Sequence, residues 1–356
     1  MTASVPPIES DRQLLDPAAR PAAAPRRSDA GPWRTAFRKL ISDRAAIAAL
    51  VVFLLIVVAC CCAPLYVSQV SQIDPFSSNI DGSITLDGQD QSILEPSTEG
   101  LGLGTTPIGP TGVFSTYFLG ADDQGRDVFA RLLYGGINSL LIAVASTLIC
   151  LFFSAVMGVV AGFFGGVVDA VLSRILDVIW AFPIFLLAIS LSIVLINQSV
   201  DIGPIHITAG SLWLPIFIIG IVYVPYVARP IRGQVLSLKN SEFVLAAIGL
   251  GVPNHRILIK DILPNVATTL IVFVPLMMAL NMLTESALSF LSIGVQSPDA
   301  SWGTIIQDGQ NLLYTRPVVA LAPGIAIALT VLTLNVFGDG VRDALDPRSK
   351  IRIGRD

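Results

Sequence analysis

Few residues of this chain have the types and spacing that enzymatic chemistry requires. The two histidines, His206 and His255, lie 49 residues apart in polar segments, without an HExxH pattern or nearby cysteines, so neither predicts a zinc site. None of the four lysines follows a glycine, which excludes the Walker phosphate loop. The sequence therefore predicts no catalytic residue, no metal site and no cofactor on this chain.

Two groups of polar residues are candidates for other roles. The run from Asp122 to Asp127 has enough acids to suggest calcium, but it lacks the spacing of an EF-hand, and we expect its charges to cap and orient the following helix. Within an apolar run, Glu285 follows Asn281 by four residues and precedes Ser289 by four. Intramembrane carboxylates usually face a bundle interior or a water cavity. These three residues are therefore candidates for interhelical hydrogen bonds or for the lining of a substrate pathway.

A further polar segment, residues 230–264, is helical in pattern yet too polar to cross a bilayer. Asn240 or Ser241 can cap a helix that begins at Glu242, whose carboxylate suits the positive end of the helix dipole. Gly251, followed by Val-Pro, predicts the end of that helix. We therefore expect a short helix of about ten residues.

One face of this short helix has almost no side chain. Glu242, Ala246 and Gly249 recur at i, i+4 and i+7, so another surface can approach the helix closely. A solvated amphipathic connector is the alternative interpretation. The small residues favour a docking face.

The composition places these residues in a membrane protein. Of the 356 residues, 53% are hydrophobic and 13% are charged, against roughly 45–50% and about 25% in soluble domains. Mean hydropathy is +0.73, and the net charge of −4 comes without any basic domain, so we expect no nucleic-acid partner. We predict an all-α, polytopic membrane protein with six transmembrane helices, at 45–66, 138–164, 172–196, 211–229, 265–290 and 318–341.

The remaining segments flank or connect these spans. Residues 1–44 are rich in proline, alanine and arginine and predict a disordered tail. Residues 67–137 predict a water-exposed extracytoplasmic loop, and 138–345 a five-helix core that includes the loop 230–264. Residues 346–356 form a C-terminal tail.

The charge distribution predicts which side of the membrane each loop occupies. Six spans put both termini on one side, and a cytoplasmic N-terminus would leave 19 of the 22 lysines and arginines on the cytoplasmic side. The inverted topology would reverse that bias. We therefore expect both termini, and the loop 230–264, to be cytoplasmic.

Glycines and prolines within the spans predict how they pack and bend. Gly158-x-x-x-Gly162-x-x-x-Gly166 allows close approach of a neighbouring helix. Prolines such as Pro183 and Pro225 can kink their spans, because neighbouring groups satisfy the freed carbonyls.

The polar segment resembles the EAA loop of ABC importer permeases, whose coupling helix sits in a groove of the ATP-binding subunit. Its run Glu-Phe-Val-Leu-Ala-Ala-x-x-x-Gly, from Glu242 to Gly251, is followed after nine residues by Asp-Ile-Leu-Pro. Glu242 stands four residues before the Ala pair rather than beside it, and Asp261 occupies a position that is usually apolar. Both departures are similar to the peptide-permease branch.

Other stretches are similar to the C-type permease subunit of the dipeptide/oligopeptide (peptide/nickel) importers. This resemblance covers about residues 33–350. The segment 77–113 looks longer than the usual loop of that family. The similar stretches are Leu119–Gly135, Glu285–Leu291, Gly294–Gln296 with Ser301–Gly303, and Asn335–Pro347.

The resemblance implies a type I ABC importer permease fold in the cytoplasmic (inner) membrane of a prokaryote, and import of di- or oligopeptides by alternating access. The partners it implies are a homologous B-type permease subunit, two cytoplasmic ATP-binding subunits and an extracytoplasmic solute-binding protein, besides membrane lipid. ATP and Mg would bind to the ATP-binding subunits, so this chain would not be an enzyme. The residues that would couple it to the ATPase are Glu242, Ala246, Ala247, Gly249, Gly251, Leu263 and Pro264.

Other functions stay open on the sequence alone. A nickel-chelate or glutathione importer would use a permease with the same motifs. A stand-alone secondary transporter would favour inverted repeats or charged pairs deep in the spans, which this sequence does not display. A membrane-embedded enzyme would need a nucleophile, base or metal constellation.

Overall fold

The computed structural model describes residues 32–86, 88–97, 104–196, 200–202, 205–207 and 211–346. Helices dominate these ranges, with single π-helical or 3₁₀ turns between some of them. The helices are α1 (Pro32–Ser42), α2 (Arg44–Cys61), α3 (Ala63–Tyr66), α4 (Val128–Phe164), α5 (Gly166–Ala181), α6 (Ile184–Ile196), α7 (Trp213–Val222), α8 (Val224–Lys239), α9 (Glu242–Gly249), α10 (Asn254–Ile257), α11 (Leu263–Phe290), α12 (Trp302–Asp308) and α13 (Val318–Leu345).

Four of the described helical segments are long and apolar enough to cross a membrane: α2, α4, the segment from α10 through α11, and α13. Two bent pairs, α5 with α6 and α7 with α8, pass the same test when each pair counts as one span. The described part of the chain therefore holds four spans, or six with the bent pairs. The second count agrees with the six spans predicted from the sequence.

The bends lie where the sequence places proline. α5 and α6 meet at 91° across Phe182 and Pro183, and Pro183 lacks the N–H that would continue the ladder. α7 and α8 meet at 41°, and Pro225 is the second residue of α8. α4 ends at Phe164, and the two glycines that follow it, Gly165 and Gly166, have positive φ and let the chain turn into α5.

α4 packs against α8, α11, α7 and α2. Its contact with α8 depends on Gly158 and Gly162, which have no side chain to separate the two backbones. A Cβ atom at Gly158 would lie 2.7 Å from the carbonyl oxygen of Ala228, and one at Gly162 would lie 2.8 Å from Cβ of Val235. The predicted close packing is confirmed for these two glycines, whereas Gly166 lies beyond the end of α4.

Several predicted boundaries differ from the structure. α5 begins at Gly166 rather than at 172, and α8 continues to Lys239, ten residues past the predicted end of its span at 229 and into the predicted loop 230–264. Part of the predicted disordered tail, 1–44, forms α1, because its apolar residues recur at helical spacing beside basic residues; residues 1–31 lie outside the described ranges. α4 begins at Val128, ten residues before the predicted span, because Asp127 caps it and Val128 packs against Leu119 and against Leu312 and Val319 around the start of α13. Of the predicted C-terminal tail, only Asp346 is described.

The segment predicted as the loop 67–137 contains two hairpins that the sequence analysis did not predict. Strands β1 (Ser83–Leu86) and β2 (Gln89–Ser92) pair antiparallel, as do β3 (Leu94–Pro96) and β4 (Thr105–Pro107). A third short pair, β5 (Val200–Ile202) and β6 (Ile205–Ile207), lies between α6 and α7. Ile93 and Tyr117 are buried at the base of the first two hairpins, and the Arg316 side chain donates to the carbonyl oxygen of Pro107 at 2.7 Å.

Candidate functional site: the α9 surface and the polar clusters that hold the bundle

The short helix predicted from Glu242 is confirmed as α9. Ser241 is its N-cap residue, but its hydroxyl donates to the carbonyl oxygen of Leu238, so the predicted side-chain cap is wrong. Gly251 ends the helix with φ of +74°, and its N–H donates to the carbonyl oxygen of Ile248. Glycine suits this position because residues with a Cβ rarely adopt that backbone conformation.

α9 is attached to the bundle by one edge. Val244 is fully buried in the main core, and Ala247 and Val252 are half-buried against it. The predicted coupling residues Glu242, Ala246, Gly249 and Gly251 are exposed, and a Cβ at either glycine would meet no atom within 4 Å. The face that the sequence predicted to be nearly bare therefore points away from the chain, whereas Ala247 faces the core.

Large apolar side chains lie beside this bare face, a feature that the sequence analysis did not single out. Phe243, Leu245, Ile248 and Leu250 are all exposed, Leu250 by 83%. Apolar surface of this size commonly marks contact with a protein or a membrane. We call Phe243, Leu245, Ala246, Ile248, Gly249 and Leu250 the α9 surface.

The segment after α9 returns the chain to the bundle. Ile257 and Ile262 are buried and anchor α10 and the π-helical turn that follows it. Leu263 and Pro264, the last two predicted coupling residues, are exposed and form the first turn of α11. They lie at the base of the loop that carries the α9 surface.

α8, which leads directly into α9, is fixed to α5 by two ion pairs. Arg232 binds Asp169 through two nitrogens, one of them at 2.6 Å, and Arg229 donates to Asp177 at 2.8 Å while its guanidinium lies over the ring of Trp180. Bidentate arginine–carboxylate pairs fix geometry as well as charge. The base of the α9 loop is therefore held to the bundle, and sequence spacing gave no signal of these pairs between distant residues.

Glu285 lies at the centre of a buried hydrogen-bond network. Its two carboxylate oxygens accept from the hydroxyls of Ser139 on α4 and Ser289 on α11, at 2.9 and 2.8 Å. Those hydroxyls in turn accept from the backbone N–H groups of Trp302 and Val295, at 3.1 and 3.0 Å. One side chain thus connects α4, α11, the turn after α11 and the start of α12.

The other residues of the predicted stripe are equally buried. The amide of Asn281 donates to the hydroxyl of Thr147 on α4 at 3.0 Å. Asn281, Glu285 and Ser289 are all 0% exposed in this chain. Their contacts support the interhelical hydrogen bonds that the sequence analysis offered as one alternative, and pathway lining stays a prediction.

A cluster of buried charges lies at the end of the bundle opposite α9. Arg126 binds Asp122 at 2.7 Å and Asp308 at 2.9 Å, and Arg131 binds the same oxygen of Asp308 at 2.9 Å. Asp122 and both arginines are no more than 2% exposed. Asp308 ends α12, so the cluster fixes α12 to the start of α4, and the sequence analysis missed this partner.

Asp127 performs the capping that the sequence predicted for this acidic run. One carboxylate oxygen accepts from the N–H groups of Phe129 and Ala130, at 2.8 and 3.2 Å, and the other has no hydrogen-bond partner. Burial raises the pKa of Asp127, against the two backbone N–H groups, which lower it. Within the described ranges, no three His, Cys, Asp or Glu side chains are grouped so as to hold a metal ion.

Two family models match this chain. Residues 154–351 match the binding-protein-dependent transport system inner membrane component, and residues 31–81 match the N-terminal TM domain of oligopeptide transport permease C. The first match alone covers more than half of the chain.

Two relatives match over about nine-tenths of this chain. The dipeptide transport system permease protein DppC of Alkalihalophilus pseudofirmus is 34% identical over 90% of this chain and 91% of its own. The oligopeptide transport system permease protein OppC of Haemophilus influenzae is 33% identical over 89% of each. A solved structure of the MetNI methionine ABC transporter covers 60% of this chain and 96% of its own, at 16% identity and a TM-score of 0.48.

The helical spans and the matches define the class, a multi-span transport component of the membrane. The chain belongs to the binding-protein-dependent transport system inner membrane component family, the permeases of ABC importers. The permease works with other permease and ATPase subunits, and it is not itself an enzyme, because ATP hydrolysis takes place in the separate ATPase subunits.

Proposed function

We propose that this chain is the C-type permease subunit of an importer that moves di- or oligopeptides by alternating access. The observation that carries the cargo class is the similarity to DppC and OppC over about nine-tenths of the chain. A relative named glutathione transport system permease protein GsiD, from Pectobacterium atrosepticum, is 34% identical but matches 67% of this chain. Peptides are therefore favoured over glutathione, and a nickel chelate is the remaining candidate cargo.

The α9 surface is the proposed contact with the ATPase. It combines an open, small-residue face with exposed apolar side chains, and α8 at its base is held to α5 by two ion pairs. A partner that moves α9 would therefore move α8 and α5 with it, rather than bend a loose loop. ATP-driven closure of the partners would shift the bundle between outward and inward access, because each state would bind the partners differently.

The proposed assembly has four further subunits. A homologous B-type permease would complete the pathway, two cytoplasmic ATP-binding subunits would bind ATP and Mg, and an extracytoplasmic solute-binding protein would deliver the peptide. The positive-inside bias supports an arrangement in which α1, α9 and both termini are cytoplasmic. α12 and the hairpins of β1 to β4 would then face the solute-binding protein.

Gly249→Arg tests the coupling proposal. Gly249 is exposed with open space around it, so the substitution leaves the packing of this chain intact but places a large charge on the α9 surface. We expect peptide uptake in cells to fall at least tenfold while the chain still reaches the membrane. Ser42→Arg, at the exposed end of α1, is the matched control and should keep uptake within about twofold of wild type.

Two results separate coupling from cargo. Wild-type uptake with Gly249→Arg would contradict the role of α9. Suppose instead that Gly249→Arg lowers uptake as expected, but the solute-binding protein of this importer binds nickel chelates or glutathione and no peptide. That result would contradict only the cargo class.

A further inference from the structure

α1 is an amphipathic helix without a single acidic residue. At about 100° per residue, its apolar side chains occupy an arc of about 140° that ends at Ile41; Arg34 and Arg38 follow directly after that arc, and Lys39 lies on the far side of the cylinder. Ala36 and Leu40 turn toward α13, whereas Trp33, Phe37 and Ile41 are each more than half exposed. Such a helix is typical of the plane of a membrane surface.

An apolar groove lies between α1, α11 and α13. Trp33 and Phe37 form one wall, Ile271 and Pro275 of α11 the floor, and Phe337 and Val341 of α13 the other wall. Every residue that lines it is apolar, and its volume is about 530 Å³, within the roughly 300–1,000 Å³ of pockets that bind small organic molecules. It lies in the first half of α11 and the last turns of α13, the ends of these spans that the positive-inside bias places toward the cytoplasmic side.

Arginines stand beside the open edge of this groove. Arg34 and Arg38, one turn apart on α1, are exposed. Around the circumference of the helix they come next after Phe37 and Ile41. Among the described residues the acid nearest in sequence is Asp43, which accepts hydrogen bonds from the N–H groups of Ala45 and Ala46 as the cap of α2. On α1, positive charge therefore follows directly after the apolar side chains, and the groove itself is lined by apolar residues.

We propose that this groove binds one anionic phospholipid, with an acyl chain between α1, α11 and α13 and the phosphate against Arg34 and Arg38. Two cations set above an apolar slot match the charge and the shape of that lipid at a cytoplasmic surface, where anionic lipids concentrate. An extended peptide segment would bring backbone N–H and C=O groups into a groove with no polar partner for them. A lipid bound at this site would hold α1 against α11 and α13.

The experiment is native mass spectrometry of the full chain, titrated with phosphatidylglycerol or with phosphatidylethanolamine of the same acyl chains. We expect the wild-type chain to bind one phosphatidylglycerol at least tenfold more tightly than Arg34→Ala/Arg38→Ala, since each basic residue near the surface contributes to attraction for anionic lipid. Arg174→Ala/Arg256→Ala removes the same charge from exposed positions away from the groove and should leave that affinity within about twofold.

A second pair of variants tests the acyl chain. Ile271→Trp fills the groove and should weaken binding of both lipids, whereas Ile325→Trp, on an exposed face of α13, should not. Equal affinity for the two lipids in the wild-type chain, or wild-type affinity in Arg34→Ala/Arg38→Ala, would overturn the proposal. A photo-cross-linker at Phe37 that captures protein instead of lipid in membranes would also overturn it.

Discussion

The contact between α4 and α8 gives a direct test of the packing that carries α9. In Gly158→Ala, the added Cβ would lie 2.7 Å from the carbonyl oxygen of Ala228 and 2.8 Å from a methyl carbon of Ile231. Ordinary contacts of a Cβ begin near 3.4 Å, so the two helices must separate by roughly 0.7 Å. The obstacle is backbone and a β-branched side chain, neither of which can rotate away.

The matched control is Gly233→Ala, in α8, where an added Cβ would meet nothing within 4 Å. Both changes gain about 1 kcal/mol of helix propensity, which cancels in the comparison. Overpacking at a buried site costs about 1–3 kcal/mol, so Gly158→Ala should be less stable than Gly233→Ala by that amount.

Thermal unfolding of the two variants in the same detergent measures this difference. We expect Gly233→Ala to unfold at or above the wild-type temperature and Gly158→Ala to unfold several degrees below Gly233→Ala, since 1 kcal/mol shifts Tm by roughly 2–4 °C in domains of 150–250 residues. Equal unfolding temperatures for the two variants would refute the proposed glycine contact between α4 and α8.

Three further predictions concern the polar clusters. Asp308→Asn leaves two buried arginines with one carboxylate, Asp122, and should lower the unfolding free energy by about 3 kcal/mol. Asp177→Asn, in the exposed pair with Arg229, should lower it by less than about 1 kcal/mol. Similar losses for the two variants would contradict the buried cluster. Because the folded-state pKa of Asp127 is raised, its contribution to stability is present at low pH and is lost as pH rises through that pKa. Asp127→Asn keeps the cap and should flatten this pH dependence of unfolding, whereas Asp127→Ala should lose about 1–2 kcal/mol at every pH. A pH profile of stability that Asp127→Asn leaves unchanged would contradict the raised pKa. Glu285→Ala should destabilise the chain by about 2–3 kcal/mol and Glu285→Gln by less, because glutamine keeps one accepting oxygen; equal, small effects would show that the network is not structural.

The sequence predicts those features whose cause is local. Runs of apolar residues indicate the spans, and proline marks the break between α5 and α6. Gly251 fixes the end of α9, and Asp127 the start of α4, because each acts through the backbone within a few residues. The predicted span nevertheless begins ten residues after the start of α4, because Arg131 and the pair Gly135–Gly136 interrupt the apolar run of its first turns, where packing against protein decides the structure.

Features that join distant residues could not be read from spacing. Asp308 lies more than 170 residues from the arginines that it binds, and Arg232 lies more than 60 residues from Asp169. The small-residue face of α9 could be predicted from the sequence, but the exposed apolar side chains beside it could not. Whether Leu245 and Leu250 are exposed depends on which edge of the helix the core covers. The hairpins before α4 were missed because short polar strands carry little periodic signal.

The central claim is that the α9 surface contacts an ATP-binding subunit. A photo-cross-linking amino acid introduced in place of Gly249, in cells that express the whole transporter, tests it directly, with the same group at Ser42 as the control. The account predicts an adduct with an ATP-binding subunit from position 249 and none from position 42. An assembled, active transporter that gives no such adduct from position 249 would contradict it.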